Sequence, residues 1–405
     1  AVLRLRDGLL GRRDDLARMM TREMGKPVVE ARAEIEKSAW LCEDYAEKAA
    51  ESLAEEEDTA GGLRHRVVYQ PLGVVLSIMP WNFPFWQVFR FAAPALIAGN
   101  TGLLKHASNV PQCAQAIETV FVEAGFPGGV FRTLMIPSAE VKGVIEDPRV
   151  QAVTLTGSEP AGRQVAATAG AQIKKSLLEL GGSDPFIVLE DADLQLAVEQ
   201  AVVSRFLNTG QSCIAAKRFI VVDAIAEEFV ERFRTVVEAL VIGDPLDDAT
   251  QLGPMARFDL REELHQQVVD SLSQGAVAVT GCSPEGGDGS WYQASVLDHV
   301  KPGVRAYNEE LFGPVASIIR AADENEAVRI ANDTDFGLGG SVWTRDSERG
   351  ERIARQLECG CAFVNGLVKS DPRLPFGGIK NSGYGRELSK LGMHEFVNAK
   401  TIWIR

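Results

Sequence analysis

"GVVLSIMPWNFPFWQVFRFAAPALIAGNTGLLKH", residues 73–106, sets two short apolar runs on either side of a helical pattern. The first run, "GVVLSIMP", has the length and β-branched content of a buried strand and stops at Pro80. A helical pattern follows from Val88 to Gly99, and "TGLLKH" reads as the next strand. Strand, helix and strand in this order make a βαβ unit, whose strands lie parallel in one sheet. The alternation continues outward. "PQCAQAIETVFVEAG" is a helix with Pro111 near its first turn and Gly125 at its end, "VFRTLMI" is a strand, and "VKGVIEDP", "VQAVTLTG" and "AGRQVAATAG" prolong the pattern. A second alternating region begins near "DPFIVLEDADLQLAVEQAVVSRFLNTG". Asp191 or Asp193 there caps a helix whose Leu194, Ala197, Val198, Ala201, Val202 and Phe206 share one face and which ends near Gly210, ahead of the strand "RFIVV". Residues 1 to about 56 read as helices rich in Glu and Arg, their charges on solvated faces, and Gly61 and Gly62 precede an alternating, strand-like run.

At 405 residues the chain exceeds one ordinary core, which implies two or three domains. Hydrophobic residues at 45% and charged residues at 24% place it among soluble globular proteins. A formal charge of -14 argues against a nucleic-acid partner, which needs a basic footprint. No apolar run reaches the ~18–20 residues of a membrane span. With no secretory signal pattern, the expected location is the cytoplasm. Helical spacing from the first residue, without a cap, suggests a gene product that begins further upstream. The six cysteines, at 42, 113, 213, 282, 359 and 361, show no zinc spacing, so reduced thiols and no metal are expected.

Several stretches carry chemical potential. "NTGQSCIAAKR", 208–218, places Cys213 in a tight connection among small residues, where an electrophile can approach and backbone N–H dipoles can activate a thiolate. "SLLELGGSDPFIV" ends an apolar run with Glu179, a carboxylate that must be paired or hold its proton tightly, as suits a general base. In "PWNFPFWQVFR", Asn82 lies between two prolines and large aromatics, fixed where an amide could donate to a developing oxyanion. "VTLTGSEPAG" turns at Gly157 and Ser158 from strand to helix, a phosphate-directing geometry that departs from G-x-G-x-x-G. Lys105, at a strand end, could reach a ribose hydroxyl. Taken singly, each has a plain alternative: a packed thiol, a paired glutamate, an Asx turn, a solvated lysine.

Together, "PWNFP", "TGS", "LELGG", "GQSC", "ELFGPV" and "PFGGIKNSGYGRE" resemble the aldehyde dehydrogenase superfamily through essentially the whole chain. That resemblance implies an α/β fold: a Rossmann-like cofactor domain (1–58 and 71–181), an α/β catalytic domain (182–383) and a small β bridging, oligomerisation element (59–70 and 392–405). It implies Cys213 as nucleophile, Asn82 with the Cys213 N–H as oxyanion hole, and Glu179 as base. Ile78, Trp81, Lys105, Ser158, Leu180, Glu310 and Phe312 fall where the family contacts its nicotinamide cofactor, beside Gly157 of the same turn. The thiolate would attack the aldehyde carbon, the thiohemiacetal would give up hydride, and Glu179 would direct water at the thioester.

NAD-preferring members often carry a glutamate three residues after the cofactor lysine. Ser108 stands there, so NADP is expected, with NAD accepted as well. The likeness is greatest to the succinate-semialdehyde dehydrogenase group, whose arginine after PWNFP and serine before PFGG hold the substrate's distal carboxylate; Arg90 and Ser370 occupy those positions. A second arginine of that group is Leu207 here, and Lys369 or Arg373 is expected to supply the missing charge. Succinate semialdehyde is thus the expected small-molecule substrate, with other short or medium aldehydes, including glutarate semialdehyde, as the alternative. A cysteine-dependent hydrolase or acyltransferase would want a histidine base, and none of the five histidines lies near Cys213 or Glu179 in sequence. A non-catalytic relative would lack Cys213, Glu179 or Asn82. A homodimer or homotetramer follows by resemblance, through pairing of the edges of "LRHRVVYQ" and "FVNAKTIWIR".

Overall fold

In the computed structural model, which describes residues 1–58 and 64–404, strands Val74–Met79 and Thr101–His106 pair in parallel, Val74 opposite Thr101 and Met79 opposite His106. Helix Trp86–Ile97 connects them. It starts two residues before the expected Val88 because a distant side chain caps it: Glu34 Oε1 accepts from the backbone N–H groups of Phe85 (2.9 Å) and Trp86 (3.0 Å). Glu34 is itself buried against the Lys26 ammonium. The sequence pattern puts the charges of the first 56 residues on solvated faces, and this is not so for all of them: Lys26, between two helices, and Glu34 and Lys37, on helix Val28–Ser52, turn towards the backbone groups and aromatics of Phe83–Trp86.

Two α/β sheets organise the chain. The first runs in the order Gly383–Tyr384, Lys175–Glu179, Val150–Thr156, Val74–Met79, Thr101–His106, Phe131–Thr133, parallel except for the first strand. The chain starts in the middle, winds outward to Phe131–Thr133, and then returns to the other side of Val74–Met79. That reversal creates a topological switch point between Val74–Met79 and Val150–Thr156, where α/β sheets open a crevice beyond their carboxyl ends. Phe85, Phe89, Phe121 and Phe131 fill the core between sheet and helices, with Phe121 and Phe131 stacked at 4.3 Å.

The second sheet has seven strands, in the order Val277–Thr280, Ser295–Asp298, Val315–Ala321, Ala216–Val222, Asp184–Val188, Gly339–Trp343, Cys361–Val364, of which only Val277–Thr280 is antiparallel. The link Leu180–Ser183 passes directly from one sheet to the other. Asp193 caps helix Leu194–Phe206 by accepting from Leu196 N–H at 3.2 Å. That helix stops at Phe206, short of the expected Gly210. Asn208, Thr209 and Gly210 take left-handed conformations (φ 55°, 54° and 71°), and no α-helix continues through three such residues.

A third, antiparallel sheet joins Glu56–Asp58, Arg64–Pro71 and Val397–Ile404, the last an outer edge on which Trp403 is 65% exposed. Gly61, Gly62 and the first part of the run at 59–70 lie outside the described residues. Among those described, no helix is long and apolar enough to cross a membrane.

Candidate active site

Cys213 follows the left-handed turn at 208–210, and that turn is held from all sides. Asn208 Nδ2 donates to the carbonyl oxygens of Asn82 (2.8 Å) and Gln211 (3.1 Å), and the Asn208 N–H donates to Glu30 Oε2 at 2.7 Å. Gly210 is packed so closely on the 310–315 loop that a Cβ would stand 2.3 Å from Gly313 O. Arg205, with no exposed surface, donates through Nη2 to the carbonyls of Gly210 and Leu311, each at 3.0 Å, and to Gly313 O, and through Nη1 to Ala216 O. With no carboxylate in ion-pair range among the described residues, the Arg205 guanidinium ties the cysteine loop to the ELFGPV loop, where a fork of rigid donors suits several carbonyls at once.

Asn82 is buried. Its Oδ1 accepts from Gln87 Nε2 at 3.1 Å and its Nδ2 donates to Gln211 O at 3.1 Å, so the amide is fixed with one N–H proton left over. Among the described residues nothing accepts from the Cys213 N–H. Asn82 and Cys213 line the same cavity, and their two unspent donors are of the kind an oxyanion would need.

Two cavities share Cys213 and Gln87 in their walls. One, of about 280 Å³, lies at the switch point and is lined by Pro80, Trp81, Asn82, Thr156, Gly157, Ser158, Leu180, Glu310 and Phe312, with Glu263 and Gln267 across from them. Trp81 and Phe312 meet edge to face at 5.9 Å. Of the nine expected cofactor residues, Trp81, Gly157, Ser158, Leu180, Glu310 and Phe312 line it. Ile78, Lys105 and Ser108 do not. Ile78 and Lys105 are register partners at the ends of adjacent strands, Lys105 Nζ donates to Ser138 Oγ at 3.3 Å, and Ser108 is exposed just beyond. The crevice suits a dinucleotide: the Gly157–Ser158 turn opens onto the N-terminus of helix Glu159–Ala171, and Gly162 lets that helix settle against Leu180, whose methyl would lie 2.6 Å from a Cβ there.

The other cavity, of about 360 Å³, is bounded by Phe83, Trp86, Arg90, Val203, Leu207, Leu367, Lys369, Ser370 and Phe376, and also by Lys37 from the first long helix, Val28–Ser52. Arg90 and Ser370 thus stand together, as expected, with exposed Lys369 at the edge. Arg373 does not join them: it bonds Asp371 at 2.7 Å and lies over the Trp40 ring, outside the cavity. Arg90 is not paired within its own helix. Its Nε lies 2.9 Å from Glu387 Oε2 with both side chains buried, yet out of line for a hydrogen bond, so Nε and Nη2 keep their donors free.

Glu179 is 2% exposed, its Oε1 has no hydrogen-bond partner, and it lines neither cavity. Burial, then the neighbouring Glu387 carboxylate, push its pKa up to about 8, against the pull of Arg90 and Arg386. Burial also pushes the Cys213 thiol up to about 12, opposed by Lys217 and Arg90. Lys217 donates to the Cys213 carbonyl at 2.7 Å and pairs with Glu310 at 2.9 Å, joining the thiol loop to the first cavity. Burial thus favours the neutral thiol, with Lys217 and Arg90 pulling towards the thiolate and Glu310 and Glu179 opposing them.

Lys37, Gln87, Arg205 and Lys217 were not legible as site residues. Only Arg205 left a trace: a cation at the end of an otherwise apolar helix face.

The chain is similar to known proteins. The chain is 53% identical over 398 residues to a protein of Synechocystis sp. named probable succinate-semialdehyde dehydrogenase (NADP(+)), covering 98% of this chain and 88% of the relative. It is 51% identical to the Escherichia coli succinate semialdehyde dehydrogenase (NAD(P)+) Sad, over 99% of this chain and 87% of that one. The crystal structure of succinic semialdehyde dehydrogenase from Streptococcus pyogenes in complex with NADP+ superposes with a TM-score of 0.98 at 39% identity, over all of this chain and 89% of that one. The aldehyde dehydrogenase family model matches residues 1–402. With the full-length match and two α/β sheets meeting at a cysteine between two cavities, the chain belongs to the aldehyde dehydrogenase family.

Proposed function

We propose that this protein oxidises succinate semialdehyde to succinate, using NADP and, less readily, NAD. The observation that carries the reading is the position of Cys213 in the wall shared by a crevice shaped for a dinucleotide and a cavity lined by Arg90, Lys369 and Ser370. The names of the relatives from Synechocystis, Escherichia coli and Streptococcus pyogenes support it.

The residues divide the work. Cys213 gives its thiol proton to solvent, helped by the charges of Lys217 and Arg90, and its sulfur bonds to the aldehyde carbon as the carbonyl π pair moves onto the oxygen. The second Asn82 amide proton and the Cys213 N–H receive the oxygen as it gains charge. When bound, the nicotinamide supplies the hydride acceptor that turns the thiohemiacetal into a thioester. Glu179, with its raised proton affinity, takes the proton of the water that releases the acid once its side chain turns from its buried seat towards Cys213. Trp81, Phe312 and Leu180 wall the first cavity, while Ser108, exposed outside it, leaves room for a 2'-phosphate where a carboxylate would repel it. The division into a cofactor domain, a catalytic domain and a bridging element, and assembly into a homo-oligomer through the Val397–Ile404 edge in the cytoplasm, complete the proposal.

Cys213→Ala should abolish oxidation while NADP still binds. Glu179→Gln should give one burst of reduced nicotinamide per site and then stall. Steady turnover by either variant contradicts the assignment.

A further inference from the structure

Lys37 and Ser370 lie 333 residues apart in the sequence and meet in the wall of the second cavity. The Lys37 ammonium donates to Ser370 Oγ at 3.0 Å and stands 4.3 Å from the centre of the Trp86 ring. Ser370 Oγ also accepts from Trp86 Nε1 at 3.0 Å. Two incoming donors occupy both acceptor positions of that hydroxyl, so its own proton must point elsewhere. Among the described residues no group accepts it. The ammonium has further protons to give, and Arg90 Nη2 in the same cavity is also unbonded.

The nearby carboxylates are engaged with other groups. Glu34 holds Lys26 and two backbone N–H groups, Glu30 takes the Asn208 N–H, Asp371 binds Arg373, and Glu387 lies against Arg90. Among the described residues none is within ion-pair distance of Lys37. Burial and then the Arg90 charge push its pKa down to about 8, with Lys369 adding to that and Glu34 and Asp371 opposing it. This is the response of a half-buried cation without its anion. On a chain of net charge -14, a cavity with surplus donors selects a small anion against the global field.

We propose that Lys37 is a specificity-determining residue which, with the Ser370 hydroxyl and Arg90, binds the distal carboxylate of the aldehyde substrate and supplies the second cation that Leu207 leaves missing. The inference rests on the reading of Cys213 as the centre that oxidises a carboxylate-bearing aldehyde. The carboxylate would replace no existing ion pair. It would accept from Ser370, whose lone pairs are already filled, and from the ammonium beside it.

The test compares the parent, Lys37→Met and Lys37→Arg with succinate semialdehyde and with butanal, and measures succinate binding by calorimetry. Lys37→Met should raise KM for succinate semialdehyde about tenfold or more and weaken succinate to a similar degree, leaving kcat and the KM for butanal within about twofold. Lys37→Arg should recover most of the loss. Equal changes for both aldehydes, or none, overturn the proposal. In the parent, succinate should protect Lys37 but not exposed Lys142 from acetylation, read by peptide mass spectrometry; an unprotected Lys37 also overturns it, even where Lys37→Met fails to fold. A parent that does not oxidise succinate semialdehyde refutes the functional reading instead, and the protection experiment still decides the role of Lys37.

Discussion

Replacing Gly210 by alanine should injure stability and turnover together, because this one position joins the nucleophile loop to the loop that lines the first cavity. Gly210 has φ 71°, and an L-residue there costs about 1–2 kcal/mol. The added Cβ would also lie 2.3 Å from Gly313 O, 2.5 Å from Gly313 C and 2.8 Å from Pro314 N. All three are backbone atoms of a loop fixed by Arg205, so no side chain can swing aside. Relief requires the two loops to part by more than about half an ångström, which in a close-packed interior adds ~1–3 kcal/mol. A total loss near 2–5 kcal/mol is expected. The same displacement moves Glu310 and Phe312 relative to Cys213, and misplacement on that scale lowers kcat/KM by about 10- to 100-fold. Gly303→Ala is the control: its φ is also positive, at 91°, but its Cβ would meet nothing within 4 Å, so only the backbone strain remains. Urea titration read by tryptophan fluorescence gives the stability difference, and reduced-nicotinamide absorbance gives the rate. If Gly210→Ala and Gly303→Ala lose the same stability and both keep full activity, the loop-to-loop contact does not hold the site.

The remaining expectations follow from charge. Ser108→Glu should raise KM for NADP about tenfold or more while changing that for NAD by less than about threefold, because a carboxylate repels the 2'-phosphate; equal effects on both cofactors would remove Ser108 from the selection. Thioester release should quicken as pH rises through about 8, where Glu179 loses its proton, and Arg90→Ala should move that limb to higher pH by removing a cation that stabilises the carboxylate, besides raising KM for succinate semialdehyde more than for an uncharged aldehyde; an unmoved limb would separate Arg90 from Glu179. Between the ordinary carboxylate range and pH 8 the folded chain holds the Glu179 proton and the unfolded chain has lost it, so this group contributes less stability as pH rises. Glu179→Gln should therefore melt higher than the parent at pH 9, by a few degrees for ~1 kcal/mol, and not at pH 5; the reverse order would refute the direction of the shift.

The sequence by itself determined what depends on neighbours along the chain. Alternating apolar strands and capped helices, with Pro80, Gly125 and Asp193 as stops and starts, specified a parallel α/β fold because each signal acts within a few residues. Conspicuous motifs likewise announced Cys213, Asn82 and Glu179, and Arg90 and Ser370 through their resemblance. Tertiary structure alone decided how distant groups complete one another. Glu34 caps a helix some fifty positions away, and Arg205 satisfies carbonyls of two loops. Of the two residues expected to supply the missing charge, Lys369 lines the cavity while Asp371 draws Arg373 outward, and Lys37, on a helix that reads as solvent-facing, is held at the cavity by Trp86 and Ser370. Burial is not written in any local pattern: the same charged residue is solvated or enclosed according to what the rest of the chain folds against it, and proton affinities near Cys213 and Glu179 follow from that enclosure.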